Sequence, residues 1–500
     1  MIRKYDINEF ASYLEDSSGM SKGYAREIVF PESEREVLEF IREANEKKFR
    51  ITVSGAGTGI VGGRIPYGGS ILSTDKLNRI SEITTDNGGK IGRAIIEPGV
   101  RIEDLKKEAK KAGLTYLPDP TEQNAFIGGT VATNASGARG FKYGATRKYI
   151  DKLNVVLANG QLLKIVRGRR ILKDKLCFDF SDGLRAQCAL PDYAIGRIKN
   201  SAGYFLGQGT DLIDLFIGQE GTLGVITRIE VKLNMLPENV ISGVGFFKSA
   251  ETALEFVSIL KKQACAKFHN KEEKNIDVCC LEYFDRNALK ILQTKYAQIP
   301  KQKAAAVYFE EEVQDGNPLL LMGRYAKVLT QLEIPEKDIW FSDASSYAQL
   351  FQNMRHELPC LVNEIVKNNG FAKISTDISV ADGHFLAMHA FYENKLKETK
   401  VPYCMFGHIG ENHMHINFMP ESEQMFNKAK GLYRELLHEA VRRGGTIAAE
   451  HGIGKLKAEY LELMFDKRHI QQMATVKKTV DPNLLLGIGN IFKEDYLSQV

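Results

Sequence analysis

The chain has 500 residues, 43% of them hydrophobic and 26% charged, with 67 Lys and Arg against 63 Asp and Glu for a formal charge of +4. This is the composition of a globular protein of two or three domains, and so small a surplus of charge argues against a nucleic acid or an anionic membrane surface as partner. Seven cysteines, odd in number and without a C-x-x-C pair, exclude a zinc ribbon or a cysteine-held cluster and point to a reducing compartment.

Residues 32–48 place Val37, Phe40, Ile41 and Ala44 at helical spacing after Pro31, which predicts an amphipathic helix. A strand over 50–54 follows, then glycines at 55, 57, 59, 62, 63, 68 and 69, then a strand over 70–74. Glycine at that density means positive φ or a ligand lying on bare amides, and consecutive N–H groups in such a turn make a nest for an anion, typically a diphosphate. The letters G-x-G-x-x-G occur at Gly57, Gly59 and Gly62 with Asp75 downstream, but Gly63, Pro66, Gly68 and Gly69 leave no room for the helix of a dinucleotide βαβ unit. No Gly-Lys-Ser/Thr follows to make a P-loop. The ligand-free alternative is a glycine-rich surface hairpin.

Arg93 to Val100 reads as a strand and turn and 102–112 as a short amphipathic helix, so the first third alternates helix and strand. A second run of small residues, Ile127 to Gly140, follows Leu117-Pro-Asp-Pro-Thr and closes with Lys142 to Arg147. Either something flat or bulky packs on that main chain or a helix packs closely on a strand. Strands over 152–157 and 161–166 are joined by Asn159-Gly160, a hairpin signal. Residues 167–200 carry no legible motif. A third glycine cluster, within Leu215 to Thr227, runs into the alternating strand that starts at Arg228, and Pro237 marks a domain boundary. Beyond it, strands over 240–247 and 305–311 alternate with amphipathic helices over 249–263, 319–333 and 349–368.

Gly407 to Phe418 holds three of the ten histidines, His408, His413 and His415. On a strand His413 and His415 share a face, and a turn at Gly410 folds His408 back toward them. Gly444 to Lys455 sets Glu450 beside His451 among glycines and small apolar residues. Histidines with a carboxylate suit a divalent transition ion such as zinc or manganese; the alternative is that they face solvent or are satisfied in the core.

Three glycine clusters in this order, followed by these two patches, resemble the FAD-linked oxidases of the vanillyl-alcohol oxidase type, in the branch of D-lactate, glycolate and D-2-hydroxyglutarate dehydrogenases. The matching residues run from about 50 to 235 and from 345 to the C-terminus. The resemblance implies an α+β fold. A two-subdomain FAD-binding domain would span 1–236, a substrate domain with an antiparallel sheet and flanking helices 237–455, and a C-terminal segment, 456–500, would return a helix to the FAD domain. It implies FAD contacts from Ser54, Gly55, Ala56, Gly57, Thr58, Gly59, Gly62 and Gly63, from Pro118, Asp119 and Pro120, and from Gly128, Gly129, Ala132, Thr133, Asn134 and Gly137. Tyr143, Gly144, Glu220, Gly221, Gly224 and Ile226 complete that set.

The family's G-H-x-G-D-G-N-x-H and G-E-H-G-I-G imply His408, His415 and Glu450 as metal ligands and His451 as base. Arg355 and Lys373 fall where its carboxylate-binding arginine and lysine lie. The chain departs from the pattern at Glu411-Asn-His413 in place of Asp-Gly-Asn, at Ala381 in place of a frequent proline, and at Gly487-Ile-Gly-Asn490 in place of Asn-Pro-Gly-Lys.

The expected activity is oxidation of a small D-2-hydroxy acid to the 2-oxo acid, with hydride passing to flavin N5, a divalent metal holding the substrate and His451 taking the hydroxyl proton. The rivals are a metal-free flavin alcohol or lactone oxidase and a flavin electron-transfer subunit with a decayed substrate site. Expected partners are the hydroxy acid, an electron acceptor such as a quinone, an electron-transferring flavoprotein or an iron–sulfur subunit, and a second copy of the chain in a homodimer. The N-terminus has no apolar leader core and no stretch is long and apolar enough to span a bilayer, so the expected location is cytoplasmic, at a membrane only through a partner. With no His or Cys in the first two glycine clusters, the flavin is expected to be bound without a covalent link.

Overall fold

In the computed structural model of the chain, which describes residues 1–499 apart from 87, 173, 238, 271–275, 314–317 and 343–345, Ser33 caps the first helix. Its side chain accepts from the Glu36 amide, and Glu34–Lys47 buries Val37, Phe40, Ile41 and Ala44 on one face. That face packs on a sheet of β1 (Ile2–Lys4), β2 (Glu27–Phe30), β3 (Ile51–Ser54) and β4 (Ser70–Ser73), ordered β1-β2-β4-β3. β4 lies between β2 and β3 and runs parallel to both. The glycine segment is therefore a crossover without a helix, and the hairpin alternative is corrected: a parallel register makes the chain travel back along β3 before it can pair.

Contacts divide the chain into two units, one of Met1–Ser136, Ala145–Leu236 and Thr446–Val500, the other of Gly137–Gly144 and Pro237–Gly445. The first unit holds a second sheet. Its strands are β5 (Ile80–Thr85), β6 (Ile91–Ile96), β7 (Leu114–Thr115), β8 (Ile150–Val156) and β9 (Leu162–Val166), with β12 (Val225–Met235) at its centre. β8 and β9 pair antiparallel around Asn159-Gly160, with Gly160 at φ +76°. Within 167–200, where the sequence offers no motif, β10 (Lys175–Asp179) and β11 (Arg185–Ala189) form a separate hairpin. The helix Lys467–Val480 belongs to this unit, and after it Leu486 bridges in parallel to Ile51 on the outer side of β3.

The second unit is organised on one sheet, and all its pairings are antiparallel. The path joins β16 (Ile339–Ser342), β13 (Asn239–Phe247), β15 (Ala305–Val313), β14 (Val278–Asp285), β19 (Tyr403–Gly407), β20 (His413–Phe418) and β17 (Ile374–Ser375), while β18 (Ile378–Ser379) pairs with β20. One face, with Val244, Phe246, Cys280 and Phe284, packs on Phe351, Met354 and Leu358 of the helix Ser346–Asn369. The other carries stacked Phe309 and Tyr325 with Phe256 beside them. The short segment Gly137–Gly144 is tied to this sheet by Arg139, whose Nε reaches Glu310 Oε2 at 2.7 Å. Phe141 lies against Gly410 in the same unit. Among the described residues no helix is long and apolar enough to cross a membrane.

Candidate active site

Sheet order brings together residues distant in sequence. β14 pairs with β19 and β19 with β20, so Glu282, His408, His413 and His415 converge at one end of the sheet in the second unit. His413 and His415 alternate onto one face of β20, with ring centroids 4.3 Å apart, and the Ile409–Glu411 turn returns His408 to 5.4 Å from His413 and 5.9 Å from His415. One ring nitrogen of each histidine can be chosen so that all lie within 4.8 Å of one another.

Each ring also has a fixed neighbour on its other side. His408 Nδ1 is 2.6 Å from Glu282 Oε1, His415 Nδ1 is 2.9 Å from the Thr376 carbonyl oxygen, and His413 Nε2 is 3.0 Å from Asp377 Oδ1. The Nδ1 contacts of His408 and His415 hold the orientation of their rings, the usual second-shell arrangement of a metal-bound histidine. The donor chemistry therefore fits a divalent transition ion.

Arg355 projects from the helix Ser346–Asn369, with Nη1 3.9 Å from Glu282 Oε1 and Nη2 2.7 Å from His356 Nε2. Lys373 stands just before β17, and burial lowers the pKa of its ammonium. Glu282, Asp377 and Thr376 are absent from the residues singled out in the sequence. The available signal at Glu282 is a carboxylate in the middle of the wholly buried strand Val278–Asp285, where a charge is costly unless paired.

The first unit carries the bare-backbone surfaces, and hydrogen bonds join all three glycine clusters there. Glu220 N–H donates to the Ala132 carbonyl at 2.8 Å, and Asn490 Nδ2 donates to the carbonyls of Gly63 and Glu220, each at 2.9 Å. Lys455 Nζ reaches Asn490 Oδ1 at 2.7 Å and the Gly63 carbonyl at 3.3 Å. The altered segment ending at Asn490 thus still links the first and third clusters, through an amide and the neighbouring lysine.

The glycines serve two purposes. A Cβ on Gly59 or Gly129 would meet nothing within 4 Å, and one on Gly63 would meet only Asn490 at 3.8 Å. A Cβ on Gly128 would strike Pro98 and one on Gly224 would strike Val155, so these two serve close packing. Gly57, at φ +82°, needs the left-handed backbone itself. Open space over Gly59 and Gly129 is the cradle that a large external group would fill, and the fit to FAD rests on it.

Other expected cofactor residues stand as follows. Ser54 ends β3 and Asp119 pairs with Lys106 Nζ at 2.6 Å. Asn134, in the left-handed region, ends the helix Ile127–Thr133 and accepts from the Arg147 amide at 3.0 Å. Gly137, Tyr143 and Gly144 belong to the second unit, where the Tyr143 hydroxyl donates to Glu312.

Glu450 and His451 lie in the first unit. Glu450 accepts from Ser136 Oγ at 3.0 Å and pairs with Lys199 Nζ at 2.9 Å, and His451 Nε2 is 3.5 Å from Glu450 Oε1. The next turn is clamped by Glu220, whose carboxylate accepts from the amides of Ile453 at 2.8 Å and Gly454 at 2.6 Å. Burial pushes the Glu220 carboxyl up to about 7 against those two N–H groups and the nearby Lys457 and Lys455. Lys199, in the stretch without a motif, has no sequence signal of this role.

The fold and the cradle define an FAD-linked oxidoreductase, and comparison with known proteins agrees. A family model described as FAD binding domain matches residues 25–165, and one described as FAD linked oxidases, C-terminal domain, matches residues 237–491. The chain belongs to the FAD-linked oxidases. It is 30% identical to a D-lactate dehydrogenase of Anaerostipes hadrus over 94% of this chain and 90% of that one. It is 27% identical to the glycolate oxidase subunit GlcD of Bacillus subtilis, over 98% and 93%, and 27% identical to a D-2-hydroxyglutarate dehydrogenase of Stutzerimonas stutzeri, over 93% and 90%. A solved structure of alkyldihydroxyacetonephosphate synthase superposes with a TM-score of 0.65 over 97% of this chain and 83% of that one. Its 16% identity carries the likeness of fold alone.

Proposed function

We propose that the chain oxidises a small D-2-hydroxy acid, of the D-lactate, glycolate or D-2-hydroxyglutarate type, to the 2-oxo acid. The observation that carries this reading is the histidine group of the second unit, where Glu282 and the Thr376 carbonyl hold His408 and His415 each by Nδ1. The activities named for three relatives support the substrate class. When bound, FAD supplies the two-electron acceptor at flavin N5, and a divalent ion, zinc or manganese, held by His408, His415 and Glu450 supplies the Lewis acid that acidifies the substrate hydroxyl.

The chain's own groups do the rest. His451 takes the hydroxyl proton, work that suits a side chain titrating near neutrality. Arg355 offers a planar fork to the substrate carboxylate and Lys373 a second positive charge. Glu282 and the Thr376 carbonyl orient the imidazoles of His408 and His415. Electrons then leave to a quinone, an electron-transferring flavoprotein or an iron–sulfur subunit, in a cytoplasmic homodimer that meets a membrane only through such a partner.

Anaerobic mixing of the purified flavoprotein with D-lactate, glycolate and D-2-hydroxyglutarate tests this. Bleaching of the flavin absorbance by at least one of them is expected, and no bleaching by any would favour an electron-transfer subunit instead. Metal analysis separates the metal-free oxidase reading: about one tightly held ion per chain is expected, lost on His408→Ala.

A further inference from the structure

Resting on the metal reading above, we propose that His413 is itself a ligand of the ion, so that this chain offers three imidazoles where the motif G-H-x-G-D-G-N-x-H offers two and an asparagine. Three observations within the second unit carry it. First, His413 stands in the same group as its two neighbours: one ring nitrogen of each of the three can be chosen so that all lie within 4.8 Å of one another, and His413 Nε2 is 3.0 Å from Asp377 Oδ1. Second, the ring spacings suit a shared ion. An imidazole bound at about 2.1 Å puts its centroid about 3.2 Å from the metal, so two rings at tetrahedral or octahedral angles lie about 4.5–5.2 Å apart. The three observed separations, 4.3, 5.4 and 5.9 Å, each lie within about 0.7 Å of that range.

Third, the group lies out of solvent. His413 and Asp377 are both buried, at 0% and 1% exposure, and Glu282 is buried at 4%. Asp377 is then a positioning residue that orients His413, as Glu282 orients His408. A third nitrogen donor also moves the preference of the site from manganese toward zinc, because imidazole suits zinc while manganese favours oxygen.

The test uses the full chain with its flavin, stripped of metal by a chelator and reloaded with zinc or manganese. X-ray absorption at the zinc edge should count three imidazoles in the native protein and two in His413→Asn. Chelator competition should show zinc affinity falling about 10- to 100-fold in His413→Asn, with manganese affinity changed less and flavin absorbance intact. Asp377→Asn, which keeps the ring and removes its carboxylate, should give a smaller fall in the same direction. Two imidazoles in the native protein, or unchanged zinc affinity in flavin-loaded His413→Asn, would overturn the inference and leave the two-histidine metal site standing. Failure of the native protein to retain zinc or manganese would overturn both. The native imidazole count does not depend on any variant folding.

Discussion

Glu282 Oε1 and His408 Nδ1 meet at 2.6 Å, the first from the middle of β14 and the second from the turn that follows β19. The contact sets the imidazole's tautomer and aims its other nitrogen. Glu282→Gln keeps the shape and loses the charge, so metal affinity should fall about 10- to 100-fold, measured by chelator titration, with flavin content unchanged. Equal affinity in variant and native protein would show that Glu282 does not orient a ligand.

The two kinds of glycine should respond differently. Gly59→Leu adds bulk where nothing stands within 4 Å. The apoprotein should unfold at the same denaturant concentration, while the flavin-to-protein absorbance ratio falls at least about tenfold if FAD lies there. Gly128→Ala drives a methyl group into Pro98 and should cost about 1–3 kcal/mol of stability, seen in denaturant titration of the apoprotein.

Glu220 gives a pH dependence with a definite sign. Its carboxyl is raised from 4.5 to about 7 in the folded chain, so the folded state holds its proton more tightly than the unfolded state. The stability it contributes is present below about pH 4.5 and is lost as pH rises through about 7. The unfolding free energy of Glu220→Gln should therefore fall less steeply than that of the native protein across this window. A parallel slope in the two proteins would place the pH dependence elsewhere.

Lys477 and Asp481 form a buried ion pair at 2.7 Å, 1% and 0% exposed, and Lys477 Nζ also donates to the carbonyls of Thr222 and Leu486, each at 2.8 Å. Lys477→Met strands Asp481 in the interior and should cost about 3–5 kcal/mol, read from denaturant unfolding. Removing both charges, in Lys477→Met with Asp481→Leu, should recover part of that loss.

His451→Asn should retain its flavin and metal but slow anaerobic flavin reduction on the order of a hundredfold, the loss expected of a general base. Stopped-flow absorbance measures it. An unchanged rate would remove His451 from proton transfer.

Much of the local structure was legible because it follows from periodicity and turn chemistry. The helix at Glu34–Lys47, the β8–β9 hairpin at Asn159-Gly160 and the strand that leaves the third glycine cluster are all set by residues within one turn or one pleat. The parallel course of β4 was not legible, since the same strand lengths and glycines permit either direction until β2 supplies the second neighbour. The partners of the histidines were hidden for a similar reason. Glu282 meets His408 only because β14 and β19 are adjacent, a fact of sheet order that no local pattern encodes. Lys199 reaches Glu450 from a stretch whose composition marks nothing. The departure ending at Asn490 looked like a loss in the sequence, yet its side-chain amide bridges Gly63 and Glu220.

The Leu486 bridge on the open side of β3 has a consequence for biogenesis. The Ile51 amide donates to the Leu485 carbonyl at 2.7 Å, and the Ile51 carbonyl accepts from Gly487 at 3.0 Å, so the rim of this sheet is sealed by residues translated long after its own strands. Until they emerge, a nascent polypeptide displays an unsatisfied strand rim, the template on which chains stick to one another. Demand for chaperones should therefore persist until residues 485–487 have been made, and a premature stop shortly before Leu485 should yield an insoluble product even though the glycine crossover and the histidine group have already been made.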